Sequence, residues 1–508
     1  MLVLLGPLPL AAAFFSYWIF LALYTTLYRI SPLHPLSSYP GPFLARVSKV
    51  HTVYIVLQGK QHLYYKRLHS IYGNVVRVGP NELSINEPSL IHEILGHGGL
   101  PKGPFWDPWG HPPTLIATRD VIEHAHRRKA WSRALTTSAI NDYESIVSRR
   151  AQQLVNRWKS LFTCQLAFGE SAALIDIAKW MGFFTADFMG DMAFGGGFEL
   201  MRDGKDTQGM WGILESGVNP TFMLSHNRAN SILAHVPWFG LLYRRVVGGS
   251  TQRLRNFARE NVQRRLKLGA SRKDLFHHLN DEEGHEPMPP SIANVCAEGT
   301  LAIVAGADTT STTMTGVFYN LLRRPEAYRR LRQEIEAMFP DREEPLDSGK
   351  LGRMEWLNGC INESLRLYPP VASGSQRRVE RGAGPKLLGS YLIPGETQLF
   401  LPTYTMQRDP ANFVHPDIFL PERWLPNSRI GIHNAAAFIP FSYGTASCVG
   451  KGLAMLEMRM LIVRLVQTFD FHVPSGVPGR QAMDWEDTLQ DFFALQKGPL
   501  PTLVSLRK

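Results

Sequence analysis

One cysteine of this 508-residue chain stands in a sequence suited to chemistry. Cys448 lies in the loop FSYGTASCVG between Gly444 and Gly450, after the aromatic Phe441 and directly before a long apolar segment. Glycines allow tight turns and close approach to a ligand, and the amino end of a helix favours a thiolate over a thiol. Because a thiolate is a soft, strongly donating ligand, the loop predicts a metal-binding cysteine. A small buried core cysteine and a nucleophile are the alternatives, although no His or Asn partner points to the latter.

A long helix earlier in the chain carries a second group of candidates. The stretch AGADTTSTT contains the small residues Ala305 and Gly306, followed by Asp308 and Thr309. It interrupts an otherwise good helix, which should begin after Ser291 as N-cap and run to about residue 322. Clustered hydroxyl side chains compete for backbone carbonyls and can bend a helix. Such local weakness often marks a functional site, and a packed polar seam between helices is the alternative.

Charged residues at helical spacing form a third group. Glu363 and Arg366 in ESLR lie three residues apart, and His124 and Arg128 in HAHRRKAW lie four apart, so each pair shares one side of a helix. An exposed ion pair contributes less than about 1 kcal/mol. On spacing alone, both pairs are also consistent with a solvated helix face.

The elements that must position these residues are mainly helical. Alternation around Gly-Pro-Asn predicts a hairpin over residues 74–85, and a second hairpin over 387–404 should turn at Pro394-Gly395. The segment 450–469 is apolar on nearly all sides, so it should be a buried helix. The pattern predicts a mainly α fold with a minor β part in one domain. Further helices are expected over residues 120–165, 171–195, 325–338 and 351–368.

The amino terminus is predicted to cross a membrane. No charged residue occurs before Arg29, and residues 1–30 contain an apolar run of the length that a bilayer core requires. Lysines and arginines follow, so the positive-inside rule places the rest of the chain in the cytosol; a cleaved signal peptide is the alternative. Residues 31–42, with four prolines, should form a stiff, extended hinge before a domain over 43–508.

The composition narrows the functional classes. The 54 basic and 44 acidic residues give a net charge of +10, which suits an anionic partner. No arginine-rich tract, zinc finger or aromatic-basic RNA motif is evident, so nucleic acid is not expected. The four cysteines form no C-x-x-C pair, so the sequence indicates neither a disulfide framework nor a zinc knuckle. A reducing compartment is the simplest interpretation.

Four motifs together resemble those of the cytochrome P450 superfamily of heme-thiolate monooxygenases. Phe441, Gly444, Cys448 and Gly450 match its heme-binding loop F-x-x-G-x-x-x-C-x-G, and AGADTT, ESLR and PERW (421–424) match further motifs in the family's order. The resemblance covers nearly the whole chain from about residue 38. The apolar amino terminus and proline-rich hinge are similar to those of the microsomal type. The resemblance implies the cytochrome P450 fold, preceded by one transmembrane helix.

The resemblance also implies how heme b is held. Cys448 would be the axial ligand of the iron, within the loop described above, and His124, Arg128 and Arg377 would bind the heme propionates. One position departs from the family pattern, because Ala446 stands where Arg or His is usual. One propionate contact is therefore missing or comes from elsewhere.

Two further sets of residues acquire implied roles. Asp308 and Thr309 would supply protons during the cleavage of dioxygen. Glu363, Arg366 and Arg423 would form a buried network that orients the loop carrying Cys448. The network would be structural, whereas the first pair would be catalytic.

The implied activity is insertion of one oxygen atom of dioxygen into a lipophilic small molecule, as in secondary metabolism. The chain has no evident flavin or nicotinamide motif, so electrons should come from NADPH–cytochrome P450 reductase, with cytochrome b5 as a further candidate donor. A basic face around Lys451 and Arg459 would dock such a partner, with a solvated face as the alternative. The implied location is the endoplasmic reticulum membrane, with a single span and a cytosolic catalytic domain.

Two other functions stay open on the sequence alone. One is a heme-thiolate isomerase or dehydratase that does not use dioxygen, and the other is a non-catalytic heme-binding protein. An intact Asp308-Thr309 pair argues against the first. The substrate pocket is expected to involve residues 101–118, 215–240, 302–310 and those after Pro370.

Overall fold

A computed structural model of the chain describes residues 7–107, 112–166, 172–196, 198–217, 237–269, 273–474 and 484–507. Its α-helices are α1 Pro7–Ile30, α2 Phe43–Val47, α3 Val50–Leu57, α4 Gln61–Tyr72, α5 Ile91–Leu95, α6 Val121–Ala134, α7 Thr137–Leu166, α8 Ile177–Phe194, α9 Leu200–Asp203, α10 Met210–Gly217, α11 Pro237–Leu268, α12 Leu275–Leu279, α13 Ile292–Arg323, α14 Pro325–Met338, α15 Ser348–Arg353, α16 Glu355–Leu367, α17 Thr403–Gln407 and α18 Lys451–Thr468. Its strands are β1 Val75–Gly79, β2 Glu82–Ile85, β3 Ala173–Asp176, β4 Arg377–Arg378, β5 Lys386–Leu388, β6 Tyr391–Ile393, β7 Gln398–Phe400, β8 Phe469–His472, β9 Gln490–Phe492, β10 Ala494–Gln496 and β11 Pro501–Leu506.

The helical core is built around α13. This helix packs along α8 and also contacts α11 and α16. Its start is fixed locally, because the Ser291 side chain accepts a hydrogen bond from the backbone N–H of Asn294 at 3.2 Å. The predicted N-cap and the predicted central helix are therefore confirmed. Helix α18 packs against α7, and most of its side chains are buried, as its apolar sequence predicts.

Small sheets lie beside the helices. Strands β1, β2, β7 and β4 form one sheet in that order, with β2 antiparallel to β1 and parallel to β7. Strands β3, β11 and β8 form a second sheet, while β5 with β6 and β9 with β10 form two hairpins. The predicted mainly α fold with a minor β part is confirmed, as is the hairpin over residues 74–85.

The second predicted hairpin is wrong in its pairing. Its turn lies at Gly389-Ser390, because β5 pairs with β6 from Leu388 opposite Tyr391. Strand β7, which follows Pro394-Gly395, instead pairs with β2 and β4. Pro-Gly is a good local turn signal, but here it ends one hairpin and sends the chain to another sheet.

Three predicted helices have different boundaries. The segment 120–165 is divided between α6 and α7, and Thr136 Oγ1 accepts a hydrogen bond from Ala139 N at 3.2 Å near the start of the second helix. The segment 171–195 begins with β3 before α8, and 351–368 is divided between α15 and α16. Polar residues at these breaks bond locally to the backbone and compete with helix continuation.

The amino-terminal helix α1 contains one stretch, residues 11–30, that is long and apolar enough to span a membrane and is not buried against the protein. The segment 31–42 differs from the extended hinge that was expected. It forms successive turns, and Leu36 is only 1% exposed within the core that contains β2 and β7. The backbone N–H of Arg77 donates to the Pro40 carbonyl at 2.7 Å. The segment is therefore packed onto the body of the protein.

Candidate active site beside the central helix

An interior cavity of about 340 Å³ lies between α13, α6 and the loop that precedes α18. Its lining combines Cys448, basic side chains and the small residues Ala305 and Gly306. Most other lining side chains are apolar: Trp106, Leu115, Ile116, Leu301, Val304, Val371 and Phe493. The cavity therefore brings together one thiol, several cations and an apolar chamber.

The Cys448 loop is held in place by its own backbone. The N–H of Cys448 donates to the Phe441 carbonyl at 2.8 Å, and Phe441 also lines the cavity. Gly444 has φ of +73°, and a Cβ there would lie 2.0 Å from the Leu95 carbonyl oxygen, so only glycine fits. A Cβ at Gly450 would meet only the Cys448 sulfur, at 3.9 Å. Gly444 thus shapes the loop, whereas Gly450 keeps space beside the sulfur.

Cys448 is exposed to the cavity that it lines. Burial raises the pKa of the Cys448 thiol, while the backbone N–H groups of Gly450 and Lys451 and the charge of Arg128 oppose that rise. These N–H groups belong to the start of α18, where a helix favours negative charge. These N–H groups stabilise a thiolate, but burial keeps the free thiol protonated near neutral pH. A bound metal cation would favour the thiolate instead.

The Glu363 carboxylate is the centre of a fully buried network. It accepts hydrogen bonds from Arg366 at 2.8 and 2.9 Å and from Arg423 Nε at 3.0 Å, and all three side chains are 0% exposed. Trp424 Nε1 and the backbone N–H of Leu420 also donate to it, each at 2.9 Å. Burial alone would raise the pKa of Glu363, but the two arginines outweigh it and hold the pKa below its ordinary value.

Gln407 connects this network to the cysteine loop, a link the sequence did not indicate. Its amide Nε2 donates to the carbonyls of Leu365 and Arg366 at 3.0 Å, and its Oε1 accepts from Ile439 N at 3.1 Å. Arg366 returns a hydrogen bond to the Gln407 carbonyl at 2.8 Å. The network helix α16 is therefore tied to the backbone just before Phe441.

Four basic side chains converge on the cavity. The three predicted propionate ligands line it, with His124 and Arg128 on α6 and Arg377 on β4, and Lys102 joins them from the loop before α6. Burial, followed by the charges of Lys102, Arg128 and Arg377, lowers the pKa of His124 to about 4. Burial also lowers the pKa of Lys102 to about 7, with Arg377 and Arg128 adding to the effect. An anion bound in the cavity would therefore be attracted by several basic side chains.

Arg377 is the arginine that faces this space. Its Nε is buried and has no hydrogen-bond partner among the described residues, although Nη1 donates to the Leu100 carbonyl at 3.5 Å. The neighbouring Arg378 instead lies 3.5 Å from Glu396. Arg128 donates to the Ser447 carbonyl at 2.8 Å, beside Ala446.

Asp308 and Thr309 line the cavity from α13. Thr309 Oγ1 donates to the Ala305 carbonyl at 2.7 Å, so its hydroxyl is bonded back along the helix. Lys497, which sequence analysis missed, contacts Asp308 Oδ1 at 3.0 Å and Ser311 Oγ at 2.9 Å. The Lys497 side chain is 5% exposed and that of Asp308 is 23% exposed. An ion pair therefore fixes the carboxylate at the cavity edge.

Three of the four regions expected to form the pocket line this cavity, through Trp106, Ala302 and Val371 among others. Of the fourth, 215–240, residues 218–236 lie outside the described residues. Phe493 was not predicted; it sits between β9 and β10 with φ of +83°, a conformation that is costly for a bulky residue. Such a conformation persists only where the surrounding contacts hold it.

The predicted basic docking face is smaller than expected. Lys451 is exposed, with its Nζ 5.7 Å from the ring centre of Phe441. Arg459 is only partly exposed, and its Nε donates to Asn358 Oδ1 at 2.7 Å. It is therefore engaged within the protein and is not a free surface cation.

Comparison with known proteins identifies the family. A sequence profile described as Cytochrome P450 matches residues 35–499, so the chain belongs to the cytochrome P450 family. It is 32% identical over 492 residues to cytochrome P450 monooxygenase FCK2 of Fusarium pseudograminearum, covering 95% of this chain and 84% of the relative. It is 31% identical to tryprostatin B 6-hydroxylase of Aspergillus fumigatus, covering 96% and 83%. Cytochrome P450 monooxygenase orf5 of Eupenicillium brefeldianum is also 31% identical, covering 98% and 96%.

These relatives confirm the predicted class. The chain is a heme-thiolate monooxygenase of fungal secondary-metabolism type, and members of the family bind heme iron through a cysteine thiolate. The family uses redox partners and lipophilic substrates. The dioxygen-independent and non-catalytic alternatives are therefore set aside.

Proposed function

We propose that Cys448 is the axial iron ligand and that the cavity holds heme b. The observation that carries this is the convergence of one accessible sulfur and four basic side chains on a single apolar chamber. Heme b has two anionic propionates, which need cations. The unpartnered Nε of buried Arg377 is the group that such an anion would satisfy. The residues present therefore fit the cofactor.

His124, Arg128, Arg377 and Lys102 would hold the propionates. Lys102 is proposed as the cation that replaces the one missing at Ala446. It is 7% exposed, and its Nζ donates to the carbonyls of Leu115 and Ile116 at 3.2 and 2.7 Å. Those neutral acceptors stabilise an ammonium less than a carboxylate would, so a propionate would be the better partner.

The protein's own residues would position the chemistry. When bound, the heme supplies dioxygen activation, which thiolate ligation favours. The N–H groups of Gly450 and Lys451 would stabilise the Cys448 thiolate, and the Glu363 network would keep its loop in register. The apolar wall would exclude water from the chamber, as a controlled oxidation requires.

Asp308 and Thr309 are proposed to deliver protons into the chamber. Asp308 is partly exposed and therefore reachable by protons from solvent. Thr309 Oγ1 would pass a proton onward by turning its hydroxyl away from the Ala305 carbonyl. Lys497 is a positioning residue, because its ion pair sets where the Asp308 carboxylate lies. Positioned proton transfer typically contributes about 10²–10⁴-fold.

Residues 1–30 are proposed as a single membrane anchor of the endoplasmic reticulum, residues 31–42 as the segment that joins it to the body, and 43–508 as the cytosolic catalytic domain. The exposed apolar helix α1 supports the anchor. NADPH–cytochrome P450 reductase is the proposed electron donor, with cytochrome b5 as a second donor. Because one relative is named for hydroxylation of tryprostatin B, we infer a lipophilic secondary metabolite as the substrate.

The test is reconstitution of the full chain with the reductase in lipid vesicles. A panel of lipophilic metabolites is first screened by the spectral change that substrate binding produces at the heme. Binders should stimulate NADPH consumption and yield a product that carries one atom from isotopically labelled dioxygen. Products labelled from water only, or no reduction by the reductase, would contradict the proposal.

A further inference from the structure

A cluster of histidines and carboxylates lies at α12 and the turn that follows it, and it takes no part in the proposed chemistry. His277, His278 and Glu283 each offer one ligand atom, and these atoms lie within 4.8 Å of one another. The turn is fixed locally: Glu282 N donates to the His277 carbonyl at 3.1 Å, and His285 N donates to Asp281 Oδ1 at 3.0 Å. The backbone therefore presents the three side chains to one point.

Within the part of the chain that the structure describes, His277 has a ring nitrogen without a hydrogen-bond partner. Its side chain is 9% exposed, and Nδ1 lies 2.8 Å from Glu282 Oε2. A carboxylate only accepts, so Nδ1 donates to it and Nε2 is the ring nitrogen left to bind a further group. That atom is buried, makes no hydrogen bond within the normal distance and lies 3.4 Å from Glu283 Oε1. A metal ion placed between the two atoms would contact both.

The second histidine approaches the same point from another side. The rings of His277 and His278 are edge-to-face with centres 5.1 Å apart, which aims them differently around one point.

We propose that this cluster is a Zn²⁺ site with His277 Nε2, His278 and Glu283 as protein ligands and water completing the coordination. Two imidazoles and a carboxylate are a known donor set for zinc with an open position. The hard cations Ca²⁺ and Mg²⁺ prefer all-oxygen sites. The Glu282 carboxylate on Nδ1 is the outer partner that usually orients a zinc-bound histidine.

The site must tighten slightly to close. Ligands of a tetrahedral zinc ion lie about 3.3 Å from one another, given bonds of about 2.0–2.2 Å. Glu283 and His278 are exposed and half-buried, so their side chains have room to move. Lys273, which holds Glu283 Oε1 at 2.7 Å, is 67% exposed and would leave. His285 Nε2 lies 3.0 Å from the other Glu283 oxygen, Oε2, and is exposed, so it can move with that carboxylate. Arg133 pairs with Glu286 and Asp281, and His126 pairs with Glu286.

The test uses the full heme-loaded chain, purified without a polyhistidine tag and freed of metals by chelation. Titration calorimetry with zinc chloride should give one ion per chain at micromolar affinity. Zinc-edge X-ray absorption should show two imidazole ligands at about 2.0–2.1 Å. His278→Gln removes a ligand outside the core, and Glu282→Gln should weaken binding by about 10–100-fold through orientation alone. The control is His472→Gln, which changes an exposed histidine elsewhere.

Loss of zinc affinity in His278→Gln and Glu282→Gln, with His472→Gln unchanged, supports the site. An absence of binding tighter than 100 µM (roughly the weakest affinity of a built site) would overturn it, leaving His277 as an imidazolium with two carboxylate partners. Equal affinity in all variants would also overturn it, because the zinc would then lie elsewhere. The carbon monoxide spectrum of each variant verifies that the heme domain is folded, so this test is independent of the proposed oxidation.

Discussion

Lys102 offers the sharpest test of how this chain compensates for Ala446. Its ammonium is buried among the cations of the cavity, and its pKa falls from 10.5 to about 7. A bound propionate would restore the charged form, so heme binding should be accompanied by proton uptake at Lys102. Lys102→Met removes that proton and nothing else that titrates in this range. His124, with a pKa of about 4, stays neutral above pH 7.

The magnitude follows from linkage. A group whose pKa is about 7 without heme and near its ordinary value with heme strengthens heme binding about ninefold as pH falls from 9 to 8 and about fivefold from 8 to 7. The gain levels off below pH 7, where Lys102 is charged in both states. Ligation releases the Cys448 proton and gives the opposite slope in both proteins. The ratio of wild-type to variant affinity cancels that term and should rise about 50-fold between pH 9 and pH 7.

The assay is competition for heme with apomyoglobin at pH 7, 8 and 9. Lys102→Arg, which is charged at every pH, should keep tight binding and lose the Lys102 slope. Lys451→Met is the matched control, since Lys451 is exposed. A constant wild-type to Lys102→Met ratio across this pH range would refute the assignment of Lys102 to a propionate.

Three further predictions concern the chamber, the amino-terminal segment and a buried acid. Thr309→Ala should keep heme and substrate binding but lower the ratio of product to NADPH consumed, with the missing electrons recovered as hydrogen peroxide. Asp308→Asn should mainly slow turnover. An unchanged product-to-NADPH ratio in Thr309→Ala would rule out the proton-delivery role. Deletion of residues 2–28 should leave a heme-loaded protein that binds membranes less, whereas deletion of 2–42 should lower the free energy of unfolding by about 3 kcal/mol. That loss comes from the missing Leu36 burial and the unpaired Arg77 N–H, and urea unfolding measures it. Burial raises the pKa of Asp491 from 3.8 to about 6, so wild type should lose about 2 kcal/mol of stability relative to Asp491→Asn as pH rises from 4 to 6. Parallel pH profiles would contradict this.

Local signals made much of the fold predictable. The Ser291 cap, the apolar face of α18 and the Gly-Pro-Asn hairpin are determined by neighbours in sequence, and each is found in the structure. The predicted hairpin turn at Pro394-Gly395 was wrong because strand pairing depends on contacts that are distant in sequence. Strand β7 pairs in parallel with residues 82–84 of β2, over 300 residues away, as the Glu82–Gln398 pairing shows. A local sequence pattern carries no information about such a distant partner.

The residues of the candidate site also fall into those that a local pattern reveals and those that only the fold brings together. Motif residues such as Cys448 and Glu363 are recognisable because their spacing is fixed within one loop or one helix turn. Lys102 and Lys497 have no such signature. Lys102 reaches the cavity from a distant loop, and Lys497, just after β10, reaches Asp308 at the cavity edge, so only burial distinguishes either from a surface lysine. Gln407 is likewise an ordinary polar residue in the sequence, and only the folded structure shows that it hydrogen-bonds both α16 and the segment before the cysteine loop.

The central claim is that Cys448 binds the iron as a thiolate. The most direct measurement is the absorption spectrum of the dithionite-reduced protein with carbon monoxide, for wild type and Cys448→Ser, with Cys296→Ser as the control for a cysteine outside the cavity lining. Wild type and Cys296→Ser should show the red-shifted Soret band of thiolate ligation, and Cys448→Ser should lack it. Survival of that band in Cys448→Ser would mean that another residue holds the iron.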